Sequence, residues 1–160
     1  MGKGNIGTVT GELCQWIGMR VDFYQRWDDL TQKLKWKQVI INCLRHNITT
    51  TWIVNTNALQ WFTWYYISAA GHKTENQQEL VDLLKNGILQ WFARDWVSGI
   101  SSGDVSFPNY QKLKTDLDWY NTFITPAIAS FTTNAIKYSN DICIENIRAY
   151  IQWNPINLLY

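Results

Sequence analysis

Charge is scarce in this chain. Asp, Glu, Lys and Arg together make up 17% of its 160 residues, against roughly 25% in an ordinary soluble domain. Histidine occurs twice, as His46 and His72. Neither lies in an H-x-H or H-E-x-x-H pattern, which removes the familiar metal-site signatures. Cys14, Cys43 and Cys143 are odd in number and far apart, with no C-x-x-C. That spacing argues against a disulfide framework or a zinc site and for buried free thiols. No apolar run follows Lys3, so no secretory signal is read at the N-terminus. Period-two alternation long enough for a strand is also missing, as is any internal repeat.

Aromatic and uncharged polar residues take the place of charge. There are ten Trp, eight Tyr and six Phe, with fourteen Asn and fourteen Thr. The stretch His46–His72 carries no ionic side chain, and its second half, Ala58 to Ala70, is apolar or aromatic on nearly every side of a helical wheel. A helix that is apolar all round must be buried all round. Crossing a membrane needs ~20 mainly apolar residues, and Asn55, Thr56, Asn57, Gln60 and Thr63 interrupt this one. The expectation is an all-α, single-domain bundle of about five to seven helices around a central uncharged aromatic helix, with residues 11–160 as the domain and residues 1–10 as a flexible or partner-contacting arm.

The remaining elements follow from spacing. Leu13, Trp16, Phe23, Trp27, Leu30 and Leu34 fall three or four apart, or in multiples of that, as in a packed helix. A second helix is expected over Trp36–Arg45 and the uncharged helix over 51–70, ended by Gly71. Thr74 and Gln77 form a T-x-x-Q capping box opening a helix to Val97, packed through Leu80, Leu83, Leu84, Ile88, Leu89, Trp91, Phe92 and Trp96. The segment 98–109 reads as a loop. A helix from Pro108 and a last one over Asp141–Trp153 complete the bundle.

Little in the sequence points to catalysis. The acids Asp104, Asp116, Asp118, Asp141 and Glu145 are scattered over a loop and helix faces, so no catalytic residue, metal ligand or cofactor site is assigned. Gly2, Gly4 and Gly7 spell G-x-G-x-x-G, but the dinucleotide fingerprint needs a strand before it and only Met1 is there. Net charge is +1, while residues 1–50 hold seven basic against four acidic side chains. Arg20, Arg26, Lys33, Lys35 and Lys37, interleaved with Trp27 and Trp36, are the candidates for phosphate contact. Trp61, Trp64, Tyr65, Trp91 and Trp96 are the candidates for assembly contacts or for lining an apolar ligand pocket.

Two short pieces carry a resemblance. Met1-Gly2-Lys3-Gly4 and Tyr65-Tyr66-Ile67-Ser68-Ala69 resemble segments of the helical coat proteins of archaeal rod-shaped and filamentous viruses. That resemblance implies a self-assembling structural subunit, a homo-oligomer or polymer packaging nucleic acid through its N-terminal third, and a location in the virion. Apart from it, the residues allow a monomeric helical module for an apolar ligand or a non-assembling nucleic-acid binder, placed in the cytoplasm.

Overall fold

The computed structural model describes residues 2–61, 64–69, 72–95, 108–126, 128, 132–154 and 156. It is not all-α. Four parallel strands, β1 (Val39–Asn42), β2 (Tyr65–Ser68), β3 (Trp91–Arg94) and β4 (Thr122–Ile124), form one sheet in the order β1-β2-β3-β4. The helices are α1 (Asn5–Trp16), α2 (Leu30–Leu34), α3 (Thr56–Leu59), α4 (Gln77–Lys85), α5 (Pro108–Leu117) and α6 (Thr133–Ile151).

The central aromatic helix therefore does not exist. Its residues divide into the short α3, turned at Gln60–Trp61, and strand β2. The segments expected as helices over 36–45 and 74–97 likewise contain β1 and β3. The reason is that a strand in a parallel sheet is buried enough to read as a continuous apolar run, without alternation. Val39-Ile40-Ile41 and Trp64-Tyr65-Tyr66-Ile67 are such runs, and their β-branched and aromatic side chains suit a pleated surface better than a helix. Residues 5–10, expected in an arm, form the first half of α1.

The register aligns the strands into rungs. On the inner face Ile40, Tyr66, Phe92 and Thr122 stand side by side, followed at the C-terminal ends by Asn42, Ser68, Arg94 and Ile124. The first rung is mostly apolar, with Tyr66 and Phe92 stacked at 6.2 Å. The second is polar. Leu30, Leu34, Leu59, Leu80, Leu84, Leu113 and Leu117 join the apolar rung in the core. Asp29 caps α2 through Gln32 N, Asn55 caps α3 through Ala58 N, and Asn76 caps α4 through Glu79 N. The α4 start thus falls at Asn76, with Thr74 just outside the helix.

The outer face is different. Tyr65, Ile67, Trp91 and Phe123 stay between 37% and 69% exposed, where a parallel sheet normally has helices on both sides. At the β1 edge of that face α1 and Val21–Phe23 line a 100 Å³ cavity with Val39 and Ile41. Among the described residues no helix is long and apolar enough to cross a membrane.

A buried polar cluster at the carboxyl ends of the strands

In open α/β sheets ligands bind beyond the carboxyl ends of the strands. Here that edge carries a sealed group of polar side chains: Asn42, Ser68, Thr74, Glu75 and Arg94, each 3% exposed or less. Three come from the last rung of β1, β2 and β3. Glu75 is brought in by the backbone, because residues 52–54 pair with 73–76 through Trp52 N to Lys73 O, Val54 N to Thr74 O and Asn76 N to Val54 O.

Glu75 is the hub. Its Oε1 accepts from Asn42 Nδ2 at 2.6 Å and from Tyr66 Oη at 2.8 Å. Asn42 Nδ2 also reaches Thr74 Oγ1 at 3.1 Å, while its Oδ1 accepts from Leu44 N at 3.1 Å. Burial, reinforced by the Glu75 carboxylate, pushes the Tyr66 phenol well above its usual range, so it stays a donor. Arg94 Nη1 donates to Gln77 Oε1 at 2.9 Å, and Nη2 stands 3.8 Å from Glu75 Oε2. Burial lowers the Arg94 pKa, and Glu75 opposes that shift.

Four atoms of this group have no hydrogen-bond partner: Ser68 Oγ, Glu75 Oε2, Arg94 Nε and Arg94 Nη2. Leaving a buried polar atom unpaired costs ~1–3 kcal/mol, so four in one cluster make this group the candidate site. Nε and Nη2 form the side-on edge of the guanidinium, which takes a carboxylate by two parallel hydrogen bonds. Beside them Asp95 receives Thr125 Oγ1 and Ile128 N, closing the ends of β3 and β4.

The residues singled out from sequence lie elsewhere. Lys33 and Lys37 both hold Asp22, at 3.1 and 2.8 Å, which lowers the Asp22 pKa chiefly through Lys37. Lys35 sits over the Trp36 and Trp61 rings, Arg26 over Trp27, and Arg20 is exposed. Trp64, Tyr65 and Trp91 do come together, as a row of rings 6.4 and 5.8 Å apart on the outer face. Trp61 is 56% exposed, and Trp96 lies outside the described residues. Sequence reading missed the polar cluster. Its one signal was a set of polar residues, Asn42, Ser68 and Arg94, each closing an apolar run.

The sequence matches no protein-family model and no curated protein. Solved structures do match. A D-isomer-specific 2-hydroxyacid dehydrogenase from Lactobacillus delbrueckii ssp. bulgaricus, complexed with NAD, aligns at a TM-score of 0.81 and 20% identity over 99% of this chain and 54% of that one. The acyclic imino acid reductase Bsp5, in complex with NADPH and D-Arg, aligns at 0.80 and 19% over 99% and 52%. D-lactate dehydrogenase from Aquifex aeolicus, with NAD and lactic acid, aligns at 0.77 and 18% over 96% and 52%. The chain has the α/β fold of these dehydrogenases and spans about half the length of each. This overturns the viral coat protein and the helical ligand module, and nothing in it supports nucleic-acid binding.

A dinucleotide is the cofactor that fold suggests, and the residues present do not fit it. The pyrophosphate needs G-x-G-x-x-G between a strand and the helix after it, and the crevice sits where strand order reverses. No strand of this chain is followed by that pattern, and the order of the four described strands does not reverse. The pattern at Gly2–Gly7 serves packing. A Cβ on Gly7 would lie 2.0 Å from Gly2 O, so the chain's own carbonyl, an acceptor, stands where a phosphate requires donors.

Proposed function

We propose that this chain is the acid-holding half of a dehydrogenase-type α/β protein, seating the carboxylate of a small 2-hydroxy, 2-oxo or 2-imino acid on the Nε–Nη2 edge of Arg94. The observation that carries this reading is that buried edge, two charged donors with no acceptor at the carboxyl end of β3. The fold supports it, since the solved structures of that fold hold lactic acid or D-Arg, both α-carboxylates. The poor fit for a dinucleotide leaves the acid as the ligand for which this half has a matching group. Ser68, beside Arg94 in register, offers a hydroxyl to the 2-substituent. Glu75 Oε2 faces the same guanidinium and competes with the incoming carboxylate.

Calorimetry of the chain with lactate, pyruvate and NAD tests it. The acids are expected to bind with 1:1 stoichiometry and NAD to give no heat. Glu75→Gln removes the competitor and should tighten acid binding by about tenfold, ~1.4 kcal/mol. Arg94→Lys keeps the charge but loses the fork, and should weaken binding by a similar factor. Saturable NAD binding without acid binding would overturn the assignment.

A further inference from the structure

Helix α1 faces the rest of the chain with its small residues. Gly7, Gly11 and Cys14, with Thr10 between them, share one side of the helix, and all four line the cavity at the β1 edge. The bulky side chains of the same helix, Ile6, Val9, Leu13 and Trp16, are exposed. Opposite stand Val21, Phe23, Leu34, Val39 and Ile41. A Cβ on Gly11 would come within 2.5 Å of Phe23 Cζ, so the glycine is what lets that ring form a wall. Small residues facing large ones leave an apolar space of about 100 Å³. Where the lining meets solvent it is charged, and mostly of one sign: Arg20, Lys33 and Lys37 against the single acid Asp22. Asp22 Oδ1 lies 3.1 Å from Lys33 Nζ and Oδ2 2.8 Å from Lys37 Nζ. Lys33 also reaches Asp28 at 3.6 Å. With Asp28 counted, three cations face two acids, and one positive charge is left over.

We propose that this cavity binds a short aliphatic carboxylate, its hydrocarbon part between α1 and β1 and its charged head at the mouth beside Lys33, Lys37 and Arg20. Size sets the length of the ligand. An apolar void of ~150 Å³ takes benzene, six carbons, so one of about 100 Å³ takes about four, the apolar part of pentanoate. Charge sets its head group. Asp22 already shows that the two ammonium groups accept a carboxylate with one oxygen to each, and the surplus cation favours a second anion there. An unfilled apolar void costs stability, and the hydrocarbon part recovers it by filling the space. Val39 and Ile41 point to the opposite face of β1 from Asn42, so this site is separate from the buried polar cluster. The inference is independent of the ligand assigned to Arg94.

The cysteines supply both probe and control, since Cys14 and Cys43 line the cavity while Cys143 is exposed on α6. In alkylation of the full chain by iodoacetamide, followed for each thiol by mass spectrometry, pentanoate at about 20 mM should slow Cys14 and Cys43 about fivefold or more, as a low-millimolar site requires. Cys143 should react unchanged. From acetate to pentanoate the half-protecting concentration should fall about fourfold per added methylene, the gain from burying a CH₂, and beyond pentanoate it should fall no further. Lys33→Gln with Lys37→Gln should weaken pentanoate about fivefold or more and leave pentan-1-ol unchanged. Asp22→Asn removes the resident carboxylate and should tighten pentanoate, an opposite sign that misfolding does not produce. Protection of none of the thiols, protection of all three alike, or equal protection by acetate and pentanoate overturns the proposal. So does weaker pentanoate binding in Asp22→Asn. Arg94→Lys should leave the protection intact; its loss would move the acid to the buried polar cluster and refute a second site.

Discussion

Arg94 and Glu75 face each other across 3.8 Å with both side chains sealed from solvent, yet neither Arg94 Nη2 nor Glu75 Oε2 is hydrogen-bonded. A pair at that separation has Coulomb attraction without the hydrogen bonds that normally offset desolvation. The arrangement is intelligible if the guanidinium edge is kept for another carboxylate. Replacing one partner should therefore cost much more than replacing both. Arg94→Met is expected to lose about 3–5 kcal/mol in urea unfolding, and Arg94→Met with Glu75→Gln to recover most of it. Additive losses would show that the two groups are not coupled.

Tyr66 supplies the phenol that holds Glu75 Oε1. Its folded pKa lies well above the ordinary value of 10.0 because burial disfavours the phenolate, with the Glu75 charge adding to it. Since the unfolded chain ionises this group first, its stabilisation is complete below pH 10 and declines as pH rises above that. Ultraviolet titration should find one of the eight tyrosines silent until the protein unfolds. Tyr66→Phe should abolish that silent phase and destabilise by about 1–2 kcal/mol.

How much of this could be read from sequence depends on what each residue does locally. Helix α4 was legible, because Leu80, Leu83 and Leu84 repeat at helical spacing and all are buried. The Lys112–Asp116 pair was legible for the same reason. The strands were not, since Val39-Ile40-Ile41 looks alike in a buried strand and a buried helix. Asn42, Ser68 and Arg94 are 26 residues apart in sequence and meet only through strand register. Nothing local could have announced them. Asp29 and Lys33 are four apart on α2, yet Asp29 caps the helix and Lys33 turns to Asp22 and Asp28.

Glu79 ties α3 to α4. Its carboxylate accepts from Thr56 N and Asn76 Nδ2, both at 2.6 Å, and these bonds, the Thr56 backbone first, hold its pKa below the ordinary 4.5. A depressed carboxylate stabilises above its unfolded pKa and loses that contribution as pH falls through the folded one. Wild-type stability should accordingly drop as pH falls below about 4.5. In Glu79→Gln part of that slope should vanish and stability at pH 7 should be about 1 kcal/mol lower. Identical pH slopes in the two proteins would place the acid sensitivity elsewhere.

The N-terminal glycines give a sharper contrast, because their neighbours differ so much. Gly7 lies on the face of α1 that rests on the chain's own start. A methyl there would stand 2.0 Å from Gly2 O, which is backbone and cannot swing away. Gly4, the N-cap of α1, has nothing within 4 Å of the same position and no side chain capping the helix. Gly7→Ala must force α1 and the Gly2 backbone apart, costing about 1–3 kcal/mol as overpacking does. Gly4→Ser adds a capping hydroxyl and should be neutral or stabilising by a few tenths of a kcal/mol. Thermal melts of the two variants separate a packing role from a phosphate-binding one. If the glycines cradled an anion, phosphate would raise the wild-type melting temperature and Gly7→Ala would lose that response; if they only pack, phosphate leaves both unchanged.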